Sequence, residues 1–220
     1  DKPKYLNSPE SPVFHKGQEL YGLYEARQSG KLSRLLVVEG YMDVVALAQF
    51  GIPEAVATLG TATSTAHIER LFRVVSDVVF CFDGDAAGRR AAWRALENAL
   101  PALRDGSSVR FLFLPDGEDP DSLVKQEGKE AFLHRLEQAQ PLGIYLFDHL
   151  VKELDVSTDA GKSALWVKAN ELIKQIPSEF YRDALYEKLQ ALVGKSVQAT
   201  SRPVAKSAVS AAATPVPKIT

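Results

Sequence analysis

"VVEGYMD" at residues 37–43 and "FCFDGDAAG" at 80–88 decide how this chain folds. In each, an apolar run ends abruptly on carboxylates: Glu39 and Asp43 in the first, Asp83 and Asp85 in the second. "RLLVV" (34–38) and "DVVFCF" (77–82) are continuous apolar, β-branched runs. Such runs suit strands covered on both faces, as in a parallel sheet. "EAVAT" (54–58) and "VRFLFL" (109–114) read as two further strands. Between them, "MDVVALAQFG" reads as a helix closed by Gly51. "STAHIERLFRVV" has a Ser or Thr cap and apolar residues at helical spacing, and "AAGRRAAWRALENALPAL" is a third helix. Strands alternating with helices predict an α/β fold, with a parallel sheet sandwiched by helices through right-handed crossovers.

Upstream, residues 1–17 are irregular and basic, and "GQELYGLYEARQSG" reads as a short helix ending at Gly30. After Pro115 the pattern is helical: 120–126, 129–138, 141–154, 158–176 and 178–193, an all-helical subdomain. From Ser196 the composition turns to Ala, Ser, Thr and Pro without aromatics, which reads as a flexible linker. The expected units are therefore 1–32, 33–115, 116–195 and 196–220.

The chain has 220 residues, 45% hydrophobic and 25% charged, ordinary for a soluble globular protein with a real core. A single cysteine excludes an intrachain disulfide and a multi-cysteine zinc site. No apolar run approaches the ~20 residues of a membrane span, and no membrane role is expected. The first residues lack both a signal core and a methionine, so the reading is of a cytoplasmic protein met as a fragment.

In open parallel sheets, sites form at the carboxyl ends of the strands. Glu39, the Asp83–Asp85 pair, and Asp116, Glu118, Asp119 and Asp121 would share one such edge. Gathered anions raise one another's pKa, and divalent cations among them would relieve it. Oxygen-only ligands favour Mg²⁺ or Mn²⁺. The plainer alternative is helix capping: Asp85 and Asp119 stand where caps belong, and Asp43 lies in a first turn. Glu39, between a strand and a glycine, fits no cap preference.

Taken together, "KYLNSPE", "VVEGYMDVVAL", "ATLGTA", "VVFCFDGDAAGRRAA" and "LPDGEDPDSLV" resemble the Toprim portion of bacterial DnaG-type DNA primases. That resemblance extends over residues 1 to about 195. It implies metal-dependent synthesis of short RNA primers on a single-stranded DNA template from nucleoside triphosphates. It implies Glu39, Asp83 and Asp85 as catalytic residues, and Asp43, Asp119 and Asp121 with them as the metal-binding set. Lys4, Asn7 and Lys16 match the segment that holds the triphosphate. It also implies parts outside this chain: an amino-terminal zinc-binding domain, most of a basic polymerase subdomain, and a carboxy-terminal domain for the replicative helicase. This chain alone would then make few primers. The net charge of −2 would be offset by cations and by the basic subdomain.

Two other enzyme classes stay open on the residues alone. A nuclease or topoisomerase-like Toprim enzyme shares the Glu and Asp-x-Asp pattern, though no tyrosine here has a recognisable nucleophile setting. A haloacid dehalogenase-type phosphohydrolase would carry its Asp-x-Asp on the first strand and would not need Glu39. A non-catalytic replication recruitment module would use the helices and no metal. Arg89 and Arg90, on the helix after Asp85, face either nucleic acid or solvent.

Overall fold

The computed structural model describes residues 17–58 and 62–194. A six-stranded sheet has the order β1-β3-β2-β4-β5-β6. Its centre is β3 (Ala55–Thr58), β2 (Leu35–Val38), β4 (Asp77–Phe82) and β5 (Ser108–Phe113), all parallel. These are the four strands that the apolar runs predict. The parallel sheet gains two antiparallel edges: β1 (Leu20–Tyr21) on β3 and β6 (Gln140–Pro141) on β5. A two-residue strand is too short to show any periodicity, so neither edge was legible beforehand. The segment read as one helix from Gly17 to Gly30 divides at Gly22 (φ 82°) into β1 and α1 (Leu23–Gln28).

Alternate residues of each central strand enter different cores, the consequence of a period of two. Leu35, Val37, Val78, Phe80 and Phe111 pack on one face. There they meet α1, α3 (Thr65–Phe72), α4 (Ala86–Ala99) and α7 (Leu142–Glu153). Leu36, Val38, Val79, Cys81 and Leu112 pack on the other, against α2 (Tyr41–Gln49), α5 (Pro120–Glu127) and α6 (Lys129–Glu137). Every residue of β2 is buried, as expected for a doubly covered strand.

The helices after Pro115 therefore differ in what they cover. Leu123, Val124, Phe132 and Leu136 of α5 and α6 complete the sheet's second face, so a boundary at residue 115 cuts through a shared core. Tyr145 of α7 lies against the rings of Phe111 (4.8 Å) and Phe113 (5.2 Å) of β5. Only α8 (Asp159–Ile173) and α9 (Glu179–Val193) form a helical hairpin beyond the sheet, closed by Leu165, Ala169, Ile173, Leu185 and Leu189. Helical periodicity names the apolar face of a helix but not the surface it will meet. The residues of the expected linker, 196–220, lie outside the described residues.

A candidate carboxylate site at the sheet switch point

The chain leaves β2 for β3 on one side, then returns across β2 to form β4 on the other. The crevice between the carboxyl ends of β2 and β4 is therefore a topological switch point, where open α/β sheets bind their ligands. A cleft of about 260 Å³ opens there, lined among others by Glu39, Thr58, Thr63, Phe82 and Ala91. Glu39 follows β2 directly, and Asp83 follows β4 directly.

The turn after β4 is possible only because of its glycines. A Cβ on Gly84 would stand 2.2 Å from the Leu114 carbonyl oxygen and 2.9 Å from Oδ1 of Asp116. A Cβ on Gly88 would stand 2.2 Å from the Asp83 carbonyl oxygen. The two 2.2 Å approaches to backbone carbonyls are impossible for a real side chain, so the spacing Asp-Gly-Asp-x-x-Gly seats α4 tightly on the strand end. Asp116 is thereby brought against the Asp83–Asp85 turn.

The carboxylates interact as a group. Burial pushes the Glu39 carboxyl above its ordinary range, and the charges of Asp83, Asp85 and Asp43 push it further. Burial raises Asp83 as well, helped by Asp119 and Asp85. Asp43 is pushed up to about 6, by burial first and then by Asp119, with Asp83 adding less. What opposes these rises is backbone: the Asp83 N–H donates to Glu39, and the Gly40 and Asp121 N–H groups donate to Asp43. The Gly40 bond is 3.1 Å.

Five of the six expected metal-set residues, Glu39, Asp43, Asp83, Asp85 and Asp119, thus lie within electrostatic reach of one another. The sixth, Asp121, turns its N–H to Asp43 and pairs its own carboxylate with Lys125 at 2.7 Å. The capping alternative is also realised. Asp85 accepts from the Gly88 N–H at 2.7 Å, and Asp119 accepts from the Ser122 N–H at 2.7 Å. The two readings coexist because a carboxylate has two oxygens and about four lone-pair sites, and a cap bond uses one. Lys4, Asn7 and Lys16 lie outside the described residues.

Among the described residues no three acidic, histidine or cysteine side chains are already set as a chelate. The donor chemistry nonetheless fits a hard divalent cation: oxygen ligands only, mutually repelling, at a strand-end cleft. Sequence reading put Asp116 on this edge but gave no role to the side chains of Thr58 and Thr63 in the cleft wall. The Asp-Gly-Asp-x-x-Gly spacing explains how closely Asp116 approaches the turn; Thr58 lies inside the quoted "ATLGTA" and Thr63 directly after it.

Three family models match the chain. Residues 36–124 match a Toprim-like model, and residues 1–27 match the N-terminal domain of the DNA primase catalytic core. Residues 144–198 match a DnaB-helicase binding domain of primase. The sequence reading put helicase binding wholly outside this chain; this match instead falls on α7–α9. The DNA primase of Pseudomonas aeruginosa is 62% identical over 198 residues, which is 89% of this chain and 30% of that protein. The Escherichia coli primase catalytic core superposes with a TM-score of 0.87 at 57% identity, covering 90% of this chain and 64% of that one. A DnaG primase catalytic domain bound to single-stranded DNA gives 0.83 at 58% identity, covering 87% and 62%. The chain spans about a third of the length of the curated relatives it matches. Sheet order, carboxylate edge and these likenesses agree, and the chain belongs to the DnaG-type bacterial DNA primase family, where it corresponds to the Toprim-containing part of the catalytic core.

Proposed function

We propose that this chain carries the acidic half of a nucleotidyltransferase site that makes short RNA primers on single-stranded DNA during replication. The observation behind it is the convergence of Glu39, Asp43, Asp83, Asp85 and Asp119 at one strand edge, three of them held above their ordinary pKa. Glu39, Asp83 and Asp85 would hold Mg²⁺ or Mn²⁺, with Asp43 and Asp119 beside them and Asp121 at the margin. Such an ion supplies charge neutralisation for the phosphates and acidifies an attacking hydroxyl.

In the reaction, the 3′-oxygen of the growing strand bonds to the α-phosphorus of a nucleoside triphosphate. The bond from that phosphorus to the bridging oxygen breaks, and pyrophosphate leaves. The hydroxyl proton goes to a base, for which Glu39 is the candidate. A carboxylate with a raised pKa is a stronger base at neutral pH than an exposed one. The Asp83 N–H keeps Glu39 oriented while the rise persists. Lys4, Asn7 and Lys16 have the donors to bind the triphosphate.

Replicative helicase is the protein partner we propose, through the 144–198 segment, and the bacterial cytoplasm is the setting. Isolated, the chain would bind the ion and triphosphate yet make few primers, because template positioning is worth ~7–11 kcal/mol of such a barrier. Incorporation of labelled ribonucleotides on a single-stranded template by the full-length enzyme tests the reading. Glu39→Gln should lower incorporation at least 100-fold even at saturating Mn²⁺. Recovery of full turnover at high Mn²⁺ would leave Glu39 a ligand only and remove it as the base.

A further inference from the structure

One face of α4 is unlike the rest of the molecule. Arg89, Arg90, Trp93 and Arg94 recur at spacings of one, four and five, so they share one side of the helix, while Gly88, Ala92, Ala95 and Leu96 are buried on the other. The row begins one turn beyond Asp85, the residue that caps α4 and belongs to the carboxylate edge. It then runs away from that edge for a further ~7.5 Å at the 1.5 Å rise of a helix, so that Arg94 lies about 14 Å along the axis from Asp85.

α7 supplies the second wall. His149 stacks on Trp93 with ring centres 4.0 Å apart and planes 20° from parallel. Tyr145 meets the same indole edge-on at 6.4 Å. Arg89 sits over the Phe113 ring at 5.1 Å, and the Tyr145 hydroxyl donates to its carbonyl. Between the helices is an open cleft of about 340 Å³. Its two acids, Glu97 and Glu153, lie at the end away from the carboxylates, and Glu153 is already paired with His149 and Lys168. Among the described residues, Arg90 and Arg94 have no ion-pair or hydrogen-bond partner. Both are exposed.

We propose that this α4–α7 face is a track for single-stranded nucleic acid, with Arg90 and Arg94 on its phosphates and Trp93 against a base. The inference rests on the primase reading, since it supposes a strand engaged at the carboxylate edge. Two unpaired guanidiniums beside a half-exposed aromatic ring, its plane fixed by a stacked histidine, combine the two elements of single-strand recognition: backbone charge and a stacking platform. Arginine forks suit phosphate oxygens geometrically. The gradient also has the right direction, because a strand repelled by bare carboxylates is met by cations one helical turn further on. Template DNA and nascent RNA present the same chemistry.

The test uses this chain with a Trp166→Phe change, which leaves Trp93 as its one indole fluorophore, since the chain has two tryptophans. Labelled oligodeoxythymidylate and oligouridylate are titrated between 50 and 200 mM salt. Binding of at least one should change Trp93 fluorescence. Arg90→Ala with Arg94→Ala should weaken that binding at least tenfold at 50 mM salt. It should also flatten the log–log salt slope by roughly 1.4, about 0.7 for each lost phosphate contact on a single strand. Loss for DNA only assigns the track to template, for RNA only to product, and for both to a shared path.

A control pair, Arg27→Ala with Lys174→Ala, removes equal charge elsewhere. Equal weakening by the control, an unchanged slope in the arginine variant, or binding of both oligomers without any Trp93 response would each overturn the proposal. None of these readouts depends on metal. Failure of the primase reading would appear separately, as absence of a Mn²⁺-dependent rise in melting temperature.

Discussion

Strand β4 carries an aspartate at each end, and the two have opposite fates. Asp77 opens the strand and is gripped by Arg110 of β5, whose Nε donates at 3.1 Å and whose Nη2 donates to the second oxygen. The third donor of that guanidinium reaches the Leu136 carbonyl at 2.9 Å, tying α6 to the same pair. Asp83, just past the other end, meets only more negative charge, from Asp119 and Asp85. The amino edge of the sheet is neutralised from within, while on the proposed reading the carboxyl edge takes its balancing charge from a bound cation. A fold satisfies charges that serve it and tolerates frustration where a ligand is to supply the balance.

The sharpest way to break this contrast is to exchange the consequences. Asp83→Ala in the full-length enzyme should lower primer synthesis by 10³-fold or more, about 4 kcal/mol. The melting temperature should stay level or rise, because a repelled anion has been removed. A cooperative, well-folded variant with wild-type turnover would end its assignment. Asp77→Ala should do the reverse, costing about 2–3 kcal/mol in denaturant unfolding by leaving a half-buried guanidinium with only one partner. Turnover per folded molecule should be unchanged; a larger effect on turnover than on stability would make the amino edge functional too.

Smaller effects sharpen the contrast through pH. Burial and the Asp119 charge push Asp43 up to about 6 in the fold, against an ordinary 3.8. Between those values the folded state holds the proton more often than the unfolded chain, so stability falls as pH rises through about 4 to 6 and stays at its lower level above. Partial solvent exposure limits the effect to about 1–2 kcal/mol. Asp43→Asn should flatten that part of the stability–pH curve, and a curve unchanged by the substitution would contradict the repulsion described. Least of all, Lys125→Ala should change stability by under about 0.5 kcal/mol, since its bond to Asp121 is an exposed i,i+4 pair. A loss above 1 kcal/mol, read by chemical denaturation, would show Asp121 to be part of the coupled group.

The contrast itself was half visible in the sequence. Apolar runs broken by carboxylates placed Glu39 and Asp83 at strand ends, and the four central strands formed where those runs lie. Arg110 as the partner of Asp77 was not legible, because cross-strand register depends on which strands become neighbours. The same holds for α5 and α6 as a sheet layer and for the stack of His149 on Trp93, 56 positions apart in the sequence. Patterns within one element survive in the linear code. Pairings between elements exist only once the chain has closed.

The two short edge strands have a consequence for how the molecule behaves among its own copies. A central sheet of four apolar strands would offer unpaired backbone along β3 and β5, a template on which another chain could add itself. β1 pairs with β3 through two residues, and β6 with β5 through two. Each leaves an outer rim too brief to recruit a neighbour, and Pro141 has no N–H to offer one. Lengthening β6 or replacing Pro141 with a β-branched residue would convert a finished border into a growing front, and the penalty would be fibres rather than lost catalysis.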